Sequence, residues 1–457
     1  MDEVIGVAPS GSLGSGYPRE ALIKALDAGA HFIAQDAGST DMGPYYNGAA
    51  EPFLPLSTYK HDLRPMLVEA ITRGIPLIVG SVFTSGGRAL LYKGAEIMKE
   101  IAEEEGLSFR MAIVDAELDK DYLKRRLAEG AKLESLGPED EVTPEMIDNC
   151  GPICAQMGVE PIIRALEAGA QVVLCGRACD DALFAAVPVM KGFDKGLALH
   201  MGKILECGGV SAEPCDLAEP MIGRLRRDHF LVTPGADEFI CTTVSTAAHS
   251  LYERGEPCLQ AGPGGMNDLT HSTFEQEDER TVRISRSLFV PSERYMVKLE
   301  GAEYIGQRSI VIVGARDPIM IRQLDSILQN VRTRSEERFA QGAWKLAFRV
   351  YGRDAVMGDL EPDAAQATHE VGIMIEVVAE TQELANAVAM FTRGTLQHIG
   401  YPGILTTAGN LAYPFSPFNI PVGPAYRFSV YHLLELSDPC EIFPMELVDV
   451  VNGGDAQ

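Results

Sequence analysis

The chain is short of cations, of aromatic side chains and of long apolar runs. Lys and Arg number 39 against 65 Asp and Glu in 457 residues, a formal charge of −26. Surfaces for nucleic acid or anionic membranes need clustered cations, so the deficit excludes both as partners. Apolar stretches such as those within Ile75 to Phe83 and Ser309 to Ala315 fall far short of the roughly 18 residues that span a bilayer. No basic and apolar leader opens the sequence, which makes the cytoplasm the expected compartment. The nine cysteines are odd in number and lack C-x-x-C spacing, so they read as reduced thiols rather than as a disulfide scaffold or a zinc site. Catalytic signatures are missing too. Without a G-x-S-x-G elbow, a G-x-x-x-x-G-K-[S/T] loop or H-E-x-x-H, elbow-type serine hydrolases, Walker ATPases and zincin proteases have no support.

What is present is an ordinary folded composition, 46% hydrophobic and 23% charged. Short apolar runs alternate with amphipathic helical segments through the first half. The pattern predicts strands over Val4 to Val7, His31 to Asp36, Ile75 to Ser81, Phe109 to Val114 and Gln171 to Cys175. The predicted fold is α/β: a doubly wound, mainly parallel sheet over residues 1–215, with a ligand cleft at its strand ends. Residues 216–457 read as an α+β domain, divided near 340 into a middle region and a smaller C-terminal α+β unit.

Each predicted strand runs into a polar segment, whereas the turns at the opposite edge are short and generic. In a parallel sheet the carboxyl ends share one edge, and ligands bind there. The first segment supplies Ser10, Gly11, Ser12 and Gly14; the second supplies Asp36, Ser39, Thr40, Asp41 and Tyr45. The third supplies Ser81, Gly86, Gly87 and Arg88, the fourth Asp115, and the fifth Gly176, Arg177 and Asp180. Glycines let backbone N–H groups approach an anion, and guanidinium groups such as Arg88 and Arg177 grip a carboxylate through paired hydrogen bonds. Crowded carboxylates drive one another's pKa apart, so Asp36 and Asp115 are the preferred acid and base, with Tyr45 as a further proton donor. The acid-rich edge also suits a divalent cation such as Mg²⁺, although no fixed metal spacing occurs. Gly11-x-x-Gly14-x-Gly16 departs from the dinucleotide fingerprint, yet Asp36 ends the second strand where a ribose-binding acid would. Each residue has a structural reading as well, glycine in a tight turn and aspartate as a helix cap. Outside the first half, Ala261-Gly-Pro-Gly-Gly-Met-Asn267 and Lys298-Leu-Glu-Gly-Ala302 can supply a lid or a second binding wall.

Several of these segments carry a family resemblance: Gly11-Ser-Leu-Gly14, Asp36-Ala-Gly-Ser-Thr-Asp41 with Gly43-Pro-Tyr-Tyr46, Ile75-Pro-Leu-Ile-Val-Gly-Ser81 and Gln156-Met-Gly-Val-Glu-Pro161. With Gly176-Arg177, Lys203-Ile-Leu-Glu-Cys207, Val297-Lys-Leu-Glu-Gly-Ala302 and Gly409-Asn-Leu-Ala-Tyr-Pro-Phe-Ser-Pro417, the chain resembles the acyclic terpene utilisation AtuA family over nearly its whole length. Several members carry Gly-Gly-Ala-Gly-Gly where this chain reads Val82-Phe-Thr-Ser-Gly-Gly87. The resemblance implies a place in terpene catabolism and, in some members, small ferredoxin-fold partner domains. The expectation is a cytoplasmic, homo-oligomeric catabolic enzyme acting on a small carboxylate or acyl-CoA by lyase or hydratase chemistry. The alternatives are a dinucleotide-dependent oxidoreductase and a non-catalytic assembly or regulatory subunit.

Overall fold

The structure, a computed structural model, describes residues 2–138, 141–363, 365–366, 368–406 and 408–451. The chain forms two units, Met1–Glu303 with Phe428–Gln457, and Tyr304–Arg427. Residue 215, where a boundary is expected from sequence, lies inside the first unit.

Unit 1 is built on a ten-stranded sheet. Its strands are β1 (Val4–Ala8), β2 (Phe32–Asp36), β3 (Leu77–Gly80), β4 (Phe109–Val114) and β5 (Val172–Cys175), then β6 (Met221–Leu225), β7 (His229–Pro234), β8 (Thr273–Gln276), β9 (Val282–Ser285) and β10 (Met445–Val450). Across the sheet they run β8-β9-β7-β6-β1-β2-β3-β5-β4-β10. The central run from β1 to β4 pairs parallel. All pairings outside it are antiparallel. The fold is therefore mixed α/β, and the expected doubly wound, mainly parallel sheet is corrected to a mixed sheet. The cause is edge protection: a bare parallel edge exposes unpaired N–H and C=O groups. The hairpin β6–β7 covers the β1 edge and the C-terminal β10 covers the β4 edge.

Helices pack on both faces. On one, Leu22 and Leu26 of helix Arg19–Asp27, Leu63 and Met66 of helix Leu56–Arg73 and Ile97 and Ile101 of helix Arg88–Glu105 share a core with Ile33 and Val79. On the other, helices Val159–Glu167, Asp180–Met190 and Lys195–Leu205 pack against Phe32, Ala34 and Val173. Phe32, Ile33 and Ala34 thus alternate between the two cores, as the two-residue period of a strand requires. Helix Arg88–Glu105 stops at Gly106, whose φ of 69° provides a left-handed cap that most residues adopt only at a cost.

Unit 2 follows a β-α-β-β-α-β order. Strand 304–315 leads through helix Leu324–Arg338 to strands Trp344–Tyr351 and Val371–Ala379, then through helix Gln382–His398 to strand 419–427. In chain order its strands lie 2-3-1-4 in the sheet, the ferredoxin-like arrangement. Both helices cover one face, where Val311, Ile373, Ile375, Leu324, Val331 and Val388 are buried together. Among the described residues no helix is long and apolar enough to cross a membrane. All nine cysteines are free thiols.

Candidate functional site

The strand-end segments of unit 1 interlock. Leu13 N–H donates to Asp36 O at 3.2 Å, Phe83 N–H to Ala37 O at 3.1 Å, Ser81 N–H to Gly176 O at 2.9 Å and Gly176 N–H to Val114 O at 2.8 Å. A Cβ on Gly86 would lie 2.5 Å from Arg177 N, and its φ is +67°, so only glycine fits where the third and fifth segments touch. A Cβ on Gly38 would meet Ser81 O at 2.3 Å. Ser81 and Phe83 hold φ values of 51° and 64°, left-handed conformations that cost free energy and persist only where the surroundings impose them. Strand ends from distant parts of the sequence therefore share one rim.

The first segment is closed by the protein itself. Gly14 and Gly16 N–H both donate to Asp62 Oδ2, at 2.8 and 3.0 Å. An internal carboxylate occupies this backbone cradle, leaving neither N–H for a pyrophosphate. Ser10 is buried and its hydroxyl donates to Gln35 Oε1 at 3.3 Å and to Ser12 O at 3.1 Å, while Gly11 N–H donates to Leu217 O at 2.8 Å.

Arg88 and Asp115 form a cluster of their own. Arg88 Nε donates to Asp115 Oδ2 at 2.5 Å, Asp115 Oδ1 accepts from Glu117 N–H at 2.9 Å, and Glu117 Oε2 accepts from Arg88 N–H at 2.7 Å. Gly87 packs against Pro152 and Gly176 against Ala116. Tyr45, in the short helix Pro44–Ala49, donates to Glu51 Oε2 at 3.1 Å.

None of these side chains lines a cavity of unit 1 that has a volume of about 950 Å³. Of the sequence-predicted residues, Ser39, Thr40, Asp41, Arg177 and Asp180 form its wall. Asp36 and Ser81 stand directly behind them. The antiparallel pairing of strand Cys150–Ala155 with Leu299–Glu303 sets Glu300 opposite Cys154, and Met157 N–H donates to Arg177 O at 3.1 Å. That framework delivers Glu300 to Arg177. Arg177 Nε donates to Glu300 Oε2 at 2.6 Å, with the two side chains 5% and 2% exposed. Glu300 Oε1 accepts from Thr40 Oγ1 at 2.9 Å and lies 3.0 Å from Lys298 Nζ. Arg177 Nη1 donates to Ser81 Oγ at 3.1 Å and to Asp180 Oδ1 at 3.5 Å. Farther along the wall Lys203 pairs with Glu206, lies 3.6 Å from Glu253 and sits 4.4 Å from the centroid of the Tyr252 ring. The lining also has an apolar part, with Leu136, Met266, Val290, Met296, Phe428 and Leu433.

The acids of this wall differ sharply. Burial opposes ionisation of Glu300, yet Arg177 and Lys298 overcome it and hold the carboxyl down at about 2. Burial pushes Asp36 well above the usual carboxyl range and Asp180 reinforces it; Asp36 Oδ1 is buried with no hydrogen-bond partner. Glu206 is pushed up to about 8 by burial and then by Asp180, against the pull of Lys203. Burial also raises Asp180, opposed by Arg177. Burial, with Asp181, raises the Cys179 thiol, so it is not a thiolate nucleophile at neutral pH. Burial and like charge thus raise proton affinity on this wall beside a fixed guanidinium–carboxylate pair, the setting in which acid–base groups are tuned.

Among the described residues no group of three or more His, Cys, Asp or Glu side chains is placed to hold a metal ion. The sequence assigns Glu206, Lys298 and Glu300 no individual role; the segments Lys298 to Ala302 and Ala261 to Asn267, expected to supply a lid or second wall, both contribute to the cavity lining. Glu253 and Arg254 carried no signal, being charges in a polar loop.

The description "Acyclic terpene utilisation family protein AtuA" belongs to a family model that matches residues 56–416, well over half of the chain. The chain belongs to the AtuA family. The matched span contains every cavity residue from Arg177 to Glu300 and leaves Thr40, Asp41 and the C-terminal Phe428 to Leu433 outside. Neither a curated protein nor a solved structure matches the chain.

Proposed function

We propose that this AtuA-family protein is a catabolic enzyme of acyclic terpene or related organic-acid breakdown, acting on a small unsaturated carboxylate or acyl thioester by hydro-lyase chemistry. The observation that carries the reading is the cluster of Asp36, Asp180 and Glu206, whose proton affinities are raised on a buried wall beside Arg177 and Lys203. In the hydration direction an ionised carboxylate takes a proton from water while the water oxygen adds to one alkene carbon. A protonated carboxyl then delivers its proton to the neighbouring carbon, and elimination reverses both transfers. Asp180, facing Arg177, suits the base; Glu206, protonated up to about pH 8, suits the acid. Arg177 and Glu300 hold the frame, and the apolar part of the lining takes the hydrocarbon part of the substrate.

The test is incubation of the purified chain with a panel of α,β-unsaturated acids and their CoA thioesters in D₂O, read by mass spectrometry. The expected outcome is addition of water with one carbon-bound deuterium. Glu206→Gln and Asp180→Asn should each lower turnover by about a hundredfold or more. Unchanged substrates, or variants that turn over like the parent, would contradict the reading.

A further inference from the structure

Four cations line the cavity, and three are engaged: Arg177 and Lys298 with Glu300, and Lys203, which donates a hydrogen bond to Glu206 and lies 3.6 Å from Glu253. Arg254 is the fourth. Among the described residues it makes no hydrogen bond and no ion pair, and the groups that feel its charge are Cys179, Asp181, Glu206 and Asp180. It therefore faces the acid wall with its guanidinium uncommitted. The backbone beside it is in an unusual conformation. Glu253, the residue after Tyr252 beyond helix Thr243–Leu251, has a φ of 62°, unfavourable for a residue with a side chain. The turn leaves the Glu253 carboxylate 3.6 Å from Lys203 and Arg254 on the cavity wall. A left-handed non-glycine residue beside a cavity is where strain tends to serve a site.

We propose that Arg254 is the anchor for a free carboxylate of the substrate, its planar fork taking both oxygens. This rests on the hydro-lyase reading for the identity of the site, and adds that the substrate keeps an unesterified carboxylate near the reacting carbons. A phosphate offers the same oxyanion chemistry, and CoA carries several. The singly charged group fits better, because Asp180, Asp181 and Glu206 feel the Arg254 charge and Glu253 lines the same cavity, acids that repel a dianion more strongly. Arg177 is a positioning residue: its Nε and Nη1 are committed, and 5% of its side chain is exposed.

Binding of hexanoate, hexanamide, inorganic phosphate and free CoA to the purified full chain, by calorimetry and thermal shift, tests the assignment. The parent should bind hexanoate and ignore hexanamide. Arg254→Leu should bind hexanoate about tenfold to a hundredfold more weakly, with melting in the absence of additive no lower than the parent's. Arg254→Lys should retain part of the affinity, since an ammonium cannot match two oxygens. Hexanoate binding that survives Arg254→Leu overturns the anchor, as does a variant that loses phosphate or CoA but keeps hexanoate. A parent that hydrates thioesters yet ignores hexanoate sinks the anchor and leaves the reaction standing. Loss of hexanoate binding on Arg254→Leu in a protein that hydrates nothing supports the anchor and removes the reaction.

Discussion

Two guanidinium–carboxylate contacts lie on the rim of unit 1 and differ little in length, Arg88–Asp115 at 2.5 Å and Arg177–Glu300 at 2.6 Å. Their surroundings differ greatly. Arg88 and Asp115 are 48% and 13% exposed, whereas Arg177 and Glu300 are 5% and 2% exposed. Water reaches Arg88, so the attraction that this guanidinium gains is largely matched by hydration it gives up. The second pair has lost its hydration, and each charge depends on the other. Contact length alone does not mark a site here; burial beside uncompensated acids does.

The comparison can be broken most severely at the buried pair. Glu300→Ala strands the Arg177 guanidinium in the interior and should destabilise unit 1 by about 3–5 kcal/mol in a denaturant melt. Replacing both partners, Arg177→Met with Glu300→Leu, should cost less than Glu300→Ala alone. A double variant as unstable as the sum of its parts would mean that the two charges act independently.

The next effect appears in pH. Folded, Glu206 keeps its proton to about pH 8, against the usual 4.5. As pH rises the unfolded chain releases that proton first, so the contribution of Glu206 is full below about pH 4.5 and is lost up to about pH 8. Glu300 runs the other way: folded it titrates at about 2, so its contribution is lost as pH falls from the usual 4.5 toward 2. Glu206→Gln should melt like the parent near pH 4.5 and become more stable than it by on the order of 3 kcal/mol near pH 8. A difference that stays flat with pH would show that Glu206 ionises normally.

Much of the rim was legible in the sequence, because β1 to β5 follow continuous apolar runs and the polar segments come directly after them. Which rim residues reach the cavity was not. Ser10 and Gly14 have the composition of an anion loop, yet the anion is Asp62, contributed by a helix some fifty residues later. The partner of Arg177 comes from residue 300, because strand Cys150–Ala155 bridges the two segments. Such pairings are set by tertiary register, for which local periodicity carries no signal. The same holds for β6 and β10. In Met221–Leu225 and Met445–Val450 the apolar residues are interrupted by Arg224, Glu446 and Asp449, as edge-covering strands allow.

Two smaller effects sharpen the contrast. Asp62→Ala frees the N–H groups of Gly14 and Gly16 and should cost about 1–3 kcal/mol while sparing hexanoate binding. Loss of binding in that variant would return the first loop to the site. Arg88→Ala breaks a pair of nearly the same length as Arg177–Glu300 and should cost under about 1 kcal/mol, because Arg88 is open to water and Asp115 keeps its hydrogen bond from Glu117 N–H. A cost equal to that of Glu300→Ala would erase the distinction between the two pairs.

Whether Glu206 carries the proton that its raised pKa calls for is read directly by infrared difference spectroscopy between the parent and Glu206→Gln at pH 7. The expected spectrum shows a protonated carboxyl C=O stretch in the parent that is missing from the variant and fades in the parent as pH passes about 8. A difference composed only of carboxylate bands at pH 7 would contradict the raised proton affinity of this wall, and with it the chemistry assigned to this cavity.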